Sequence, residues 1–169
     1  REAREAGADI LEVMPPFDVR PFRRLMGMAD VPYQFFKDLA REVDMPMAIF
    51  KYAGETGSAY STETLVRIAE DIDQVVAMKA SCYTCADYYQ LWNSLKGKLS
   101  VFVTGVDTVD MLGQMMIGSD GAQAGIMAIG RHNWSRFISL SLDGKYTEAR
   151  NLYMEKLAPI ANHIYGAPL

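Results

Sequence analysis

Short apolar runs alternate with longer amphipathic ones along the chain. Ile10–Met14, Met47–Tyr52, Val75–Lys79, Ser100–Thr104 and Ala122–Ile129 are near-continuously apolar. Runs of that length and character are expected as strands of a parallel sheet covered on both faces. Between them the apolar positions follow a helical period. Phe35, Leu39 and Val43 are spaced i, i+4, i+8; Leu65, Ile68, Ala69 and Ile72 are spaced i, i+3, i+4, i+7. Tyr88, Leu91, Trp92 and Leu95 repeat that spacing, as do Val109, Leu112, Gly113 and Met116, so each set forms one helix face. Asp30 and Ser61 suit N-caps and Glu63 suits a first turn. After the last strand, Trp134, Phe137 and Ile138 predict a helix ended by Asp143-Gly144. Tyr153, Leu157, Ile160, Ala161 and Ile164 predict a longer one, kinked at Pro159.

This alternation predicts an α/β fold of five βα units, at roughly 30 residues each. Gly7-Ala8-Asp9 before the first strand and Gly118-Ser119-Asp120-Gly121 before the last echo one another as helix-to-strand joints. Two architectures fit: an open doubly wound sheet, or five-eighths of a (β/α)8 barrel. No GxGxxG or GxxxxGK[ST] follows a strand, which weakens a nucleotide-binding form of the first. The chain begins REAREAGAD without a Met and stops at YGAPL beside a helical pattern. Both ends are expected to continue into a longer protein, which favours the barrel.

Composition narrows the functional classes. A chain of 169 residues, half of them apolar and 22% charged, can bury the core of one globular domain. A net charge of −4 with no basic stretch beyond the Arg20–Arg24 neighbourhood argues against a nucleic-acid partner. No apolar run approaches the roughly 18 residues of a membrane span. Two cysteines three positions apart cannot make a disulfide scaffold, so a reducing, cytoplasmic location is expected.

In either architecture the chemistry collects at the C-terminal strand ends. These offer Met14 to Phe17, Phe50-Lys51-Tyr52, Lys79, Gly105-Val106-Asp107, and Ile129 to His132. Lys79 closes the buried run Val75–Met78. A lysine there loses hydration, which disfavours the ammonium, and a neutral amine can attack a ketone to give a Schiff base. On position alone, a lysine that reaches past the strand end to water is the commoner outcome. Lys51 competes for the same role; strand alternation forbids Phe50 and Lys51 from both facing the axis but does not choose between them. Cys82 and Cys85 form a CxxC spacing. Zinc needs about four ligands, and His132 and His163 are the only histidines, so small apolar fillers at a helix start are favoured over a metal or redox site. Asp107 either orients a partner or caps the next helix. Glu12, a carboxylate inside a strand, is functional or paired with a cation that the sequence does not name. His132-Asn133 reads as a helix start.

Taken in order, AGADILEVMPP, MPMAIFKYAGETG, STETLVRIAE, VVAMKAS, VFVTGVDTVDM and IGSDGAQAGIMAI resemble the dihydrodipicolinate synthase/N-acetylneuraminate lyase family along essentially the whole chain. The matching patterns are GAD-strand-TPYY, LP-strand-YNxPxRTG, its following helix, GIKEA, a GxD turn and GGxGxIS. The resemblance implies a partial (β/α)8 barrel, strands four to eight plus C-terminal helices. Residues 1–169 would belong to one barrel domain, with the C-terminal helical region starting near 145. It implies a Schiff-base lyase, aldolase or dehydratase acting on pyruvate or another 2-oxo acid, with Lys79 as nucleophile, in a homo-oligomer, dimer or tetramer. No metal or organic cofactor is implied, because the lysine imine is the electron sink.

The departures are as specific. The family's proton-relaying tyrosine corresponds to Phe50 and its supporting strand-four tyrosine to Phe17. Neither phenyl ring carries a proton. Tyr52, on the face of Phe50, is a conceivable substitute. The family's second-substrate arginine corresponds to Glu55, which would repel an anionic second substrate and argues against dihydrodipicolinate synthesis itself. Gln123 falls near where a strand-eight backbone group touches the 2-oxo acid, and Asp107 falls on the GxD turn. The rival reading is a catalytically degenerate barrel that binds a small carbonyl ligand or a protein partner. A response-regulator-like doubly wound domain ranks last, since the first strand ends in Met14-Pro15-Pro16 rather than an acidic cluster.

Overall fold

A computed structural model describes residues 2–14, 28, 30–52, 60–104 and 108–165. Five parallel strands form one sheet in the order β1-β2-β3-β4-β5. They are β1 (Leu11–Val13), β2 (Met47–Lys51), β3 (Val75–Ala80), β4 (Ser100–Val103) and β5 (Gly121–Ala122). Spatial order equals chain order, so every crossover steps the same way. Right-handed crossovers that never reverse place their helices on one face. A doubly wound sheet needs a reversal; this sheet has none, and the fold is a partial (β/α)8 barrel.

The intervening helices are α1 (Glu2–Glu5), α2 (Asp30–Glu42), α3 (Thr62–Asp71), α4 (Cys85–Leu95) and α5 (Thr108–Ile117). Their faces follow the expected spacing: Leu65 and Ile68 of α3, and Tyr88, Leu91 and Leu95 of α4, are buried. On α2 the buried stripe runs through Tyr33 and Phe36, with Phe35 and Leu39 at its margin. Ser61 caps α3 as expected, its Oγ accepting from the Thr64 N–H at 3.1 Å. Asp30 opens α2, and its carboxylate pairs with Arg67 of α3 at 3.0 Å. The Arg67 guanidinium also lies 3.7 Å from the centre of the Tyr33 ring.

The strands bury their alternate residues unequally, which corrects the expectation of two covered faces. Met47, Ile49, Met78, Ala80, Val101 and Val103 point at the helices and are fully buried. The opposite face carries Glu12, Ala48, Phe50, Ala77, Lys79, Ser100 and Phe102 in adjoining register, and among the described residues it is only partly covered. Glu12 is exposed and Ala48, Lys79, Ser100 and Phe102 are half-buried, so a continuous apolar run here marks a barrel strand whose second face lines a mouth.

The strand expected at Ala122–Ile129 is a second correction. The ladder extends to the Gln123 N–H, which donates to the Val103 carbonyl at 2.9 Å, and then stops. Gly125–Ala128 form a 3-10 turn that buries Ile126. β5 lies at the edge of the sheet order, so past Gln123 the backbone finds partners in i→i+3 bonds. The helix at Trp134 is α6 (Arg131–Leu142), ended at Gly144 with φ +74°. The last segment runs as α7 (Tyr146–Leu152), a π turn (Tyr153–Leu157) and α8 (Ala158–Tyr165). The irregularity expected at Pro159 sits just before it: the Ala158 N–H reaches back five residues to Tyr153. Widening the turn there absorbs the donor that proline lacks. Trp134, Phe137 and Tyr153 pack edge-on and tilted around this turn.

Candidate active site

Strand register decides between the two lysines. Phe50 and Lys79 are paired positions of β2 and β3, so their side chains share the concave face. Lys51, one residue on, points the other way and reaches the carbonyls of Tyr52 and Ser81 at 3.4 Å each. Of the strand-end lysines read from the sequence, Lys79 alone enters the barrel mouth.

Glu12 of β1 meets Lys79 there. The Lys79 Nζ lies 3.2 Å from Glu12 Oε1, and the two side chains are 14% and 28% exposed. They belong to strands separated by β2. Ala48, the register partner of Glu12, is small enough to let them join above it. Gln123, just past β5, donates its Nε2–H to Glu12 Oε2 at 2.7 Å. One carboxylate thus holds a lysine with one oxygen and an amide with the other. That contact also measures the curl of the sheet. Across a flat sheet β1 and β5 would stand roughly 19 Å apart at about 4.8 Å per step. Glu and Gln side chains reach roughly 5 Å each by standard bond lengths, so a 2.7 Å hydrogen bond needs the strands rolled toward one another.

Phe50 floors the site. Its ring centre lies 3.9 Å from the Lys79 Nζ, close enough for a cation–π contact. The Tyr52 ring stacks on Phe50 with centroids 4.1 Å apart, which agrees with the expectation that the two share a face. Phe17, Glu55 and Asp107 lie outside the described residues. Glu12 is the group that sequence reasoning left without an assignment. Its signal was present, an acid inside the run ILEVM, but its partners sit 67 and 111 positions away.

The cysteines take no part. Thr84 caps α4, its Oγ1 accepting from the Asp87 N–H at 3.0 Å, and Cys85 follows as the first helical residue. Cys82 is buried, and that burial pushes its thiol pKa up, partly offset by Lys51. Neither cysteine is in a disulfide, and among the described residues no three His, Cys, Asp or Glu side chains gather as metal ligands. No described helix is long and apolar enough to cross a membrane.

Residues 1–169 match the Dihydrodipicolinate synthetase family. The chain is 29% identical over 150 residues to 4-hydroxy-tetrahydrodipicolinate synthase of Prosthecochloris aestuarii, covering 89% of this chain and 48% of the relative. It is also 29% identical over 169 residues to an uncharacterized DapA-like lyase of Pyrobaculum neutrophilum, covering all of this chain and 53% of that protein. Among solved structures, the chloride-inhibited dihydrodipicolinate synthase of Acinetobacter baumannii, complexed with pyruvate, superposes with a TM-score of 0.81 at 24% identity. That superposition covers 98% of this chain and 53% of the other, and it speaks to the fold. The chain spans about half the length of the curated relatives it matches.

Proposed function

We propose that this chain, which belongs to the dihydrodipicolinate synthetase family, carries the Schiff-base lysine of a carbon–carbon lyase, aldolase or dehydratase acting on pyruvate or another 2-oxo acid. The observation that carries the reading is Lys79: a lysine on the concave face at a C-terminal strand end, enclosed by Phe50 and Glu12 rather than directed into solvent. In this reading the neutral amine adds to the ketone carbon, and water leaves. The resulting iminium draws electrons from the adjacent carbon, so a bond at that carbon can be made or broken. Glu12 and Lys79 supply the charge balance at the mouth, and Phe50 with Tyr52 gives an aromatic wall against which a small acid can lie.

Dihydrodipicolinate synthesis itself fits less well. Its aldehyde bears a carboxylate, and Glu55 stands where the family pattern has an arginine. The absence of a hydroxyl at Phe50 further separates this site from that reaction. The test is borohydride trapping of the protein with pyruvate, read by intact mass and peptide mapping. A reduced adduct at Lys79 is expected. Its absence under conditions where a family relative traps would overturn the reading and leave a barrel that binds without turnover.

A further inference from the structure

The pair formed by Glu12 and Lys79 goes beyond charge balance. Imine formation moves two protons from the attacking nitrogen to the departing oxygen. Something within reach of Nζ must carry them. Phe50, 3.9 Å beneath the nitrogen, has no proton to give. Glu12 Oε1 stands at 3.2 Å from Nζ, within hydrogen-bond reach. Its other oxygen is held by the Gln123 amide at 2.7 Å, and the Gln123 backbone is itself pinned to β4 through Val103. A carboxylate fixed at one oxygen presents the other in a set direction.

Resting on the Schiff-base reading, we propose that Glu12 is the acid–base catalyst of imine formation at Lys79, and that Gln123 is its positioning residue. The steps balance. Glu12 takes a proton from the Lys79 ammonium, and the amine adds to the ketone carbon as the C–O π bond opens. Glu12 returns that proton to the oxygen, giving the carbinolamine. It then takes a second proton from the nitrogen and delivers it to the hydroxyl, the C–O bond breaks, and water leaves. The iminium retains one N–H and a positive charge. Glu12 ends as a carboxylate beside it, the same pairing seen with the free lysine. The function thus moves from the β2 position, where the family pattern has a tyrosine, to β1, one strand further along on the same side of β3.

The experiment times adduct formation with pyruvate, quenching with borohydride at intervals between pH 6 and 9, on the wild type and Glu12→Gln. Glutamine keeps the size and can still bond Gln123, so the fold is expected to hold; circular dichroism checks it. The variant should trap at least about 100-fold more slowly near neutral pH, the usual scale of one acid–base group. That deficit should narrow toward pH 9 as hydroxide removes the proton instead. Glu12→Ala should be slow and regain rate on adding formate. Gln123→Met should slow trapping by a smaller factor. A wild type that never traps overturns the Schiff-base reading. A wild type that traps while Glu12→Gln keeps its rate, or shows the same deficit at every pH without formate rescue of Glu12→Ala, overturns this inference alone.

Discussion

Replacing Lys79 in two ways separates its chemical role from its structural one. Lys79→Arg keeps a cation opposite Glu12 and over Phe50 but cannot form an imine. Lys79→Met removes the cation as well. At 3.2 Å the Coulomb attraction amounts to about 5 kcal/mol at an effective dielectric of 20 and about 1 kcal/mol in bulk water. Exposed pairs contribute up to about 1 kcal/mol, and breaking a buried pair costs about 3–5. Side chains 14% and 28% exposed fall between these cases, and the contact with Phe50 adds roughly 0.5–1 kcal/mol. Lys79→Met should therefore be about 2–3 kcal/mol less stable than the wild type, while Lys79→Arg stays within about 1. For a chain of this size the melting temperature should fall by roughly 4–12 °C in the methionine variant. Adding Glu12→Leu to Lys79→Met should recover most of the loss, because no lone charge then remains in the mouth. Urea denaturation gives the stabilities, and timed trapping with pyruvate gives the chemistry, which both single variants should lack. Equal stabilities for Lys79→Met and wild type, or an adduct on either variant, would refute the reasoning.

Three further outcomes follow from the same fold. Ala48→Leu places a branched side chain where Glu12 and Lys79 join across β2, and should slow trapping by about tenfold or more while the protein stays folded by circular dichroism, a rise of roughly 1.4 kcal/mol in the barrier. Gly118→Ala should cost about 2–5 kcal/mol by thermal melting, because Gly118 has φ +141° and a Cβ there would come within 2.6 Å of the Trp92 indole. Stability should fall as pH rises beyond roughly 9–10, where thiols and phenols ionise in unfolded chains. Burial raises the pKa of Cys82, Tyr60 and Tyr88, so the folded state holds protons the unfolded state has released. Each costs about 1.4 kcal/mol per pH unit, and Tyr60→Phe should shallow the slope of the urea midpoint between pH 9 and 11.

Much of the barrel was legible because its periodicities are local. The helix spacing at Leu65, Ile68 and Ile72, the cap at Ser61 and the stop at Asp143-Gly144 each depend on a few neighbouring residues, and they stand as read. Ala122–Ile129 misled for a reason of the same kind: an apolar run meets its need for burial as a strand or as a short turn, and position in the sheet decides which. The helix partners of the strands were legible, but the second face was not. Its cover depends on how far the sheet curls, which no single run encodes. The site divides likewise. Lys79 was legible by its order among strand ends and by family resemblance. Periodicity alone left Lys51 open; the resemblance set it aside, and the register agrees, with Lys51 facing away from the concave side. The partners of Glu12 needed three-dimensional proximity, since nothing near Glu12 in sequence announces a lysine 67 positions on.

The hydrogen bond from Gln123 to Glu12 bears on the order of folding events. Neighbouring strands join across loops of roughly 30 residues, but this bond closes a loop of 111. By the logarithmic rule the longer closure costs about 1 kcal/mol more entropy, and it is satisfied only when all the intervening strands are in place. A chain caught midway can pair its lysine with Glu12 but lacks the Gln123 amide that fixes the carboxylate's direction. With the roles proposed above, full carbonyl reactivity at Lys79 would therefore mature last, once β5 brings Gln123 to Glu12. The rate at which a refolding sample gains the ability to be trapped should lag the recovery of its helical signal.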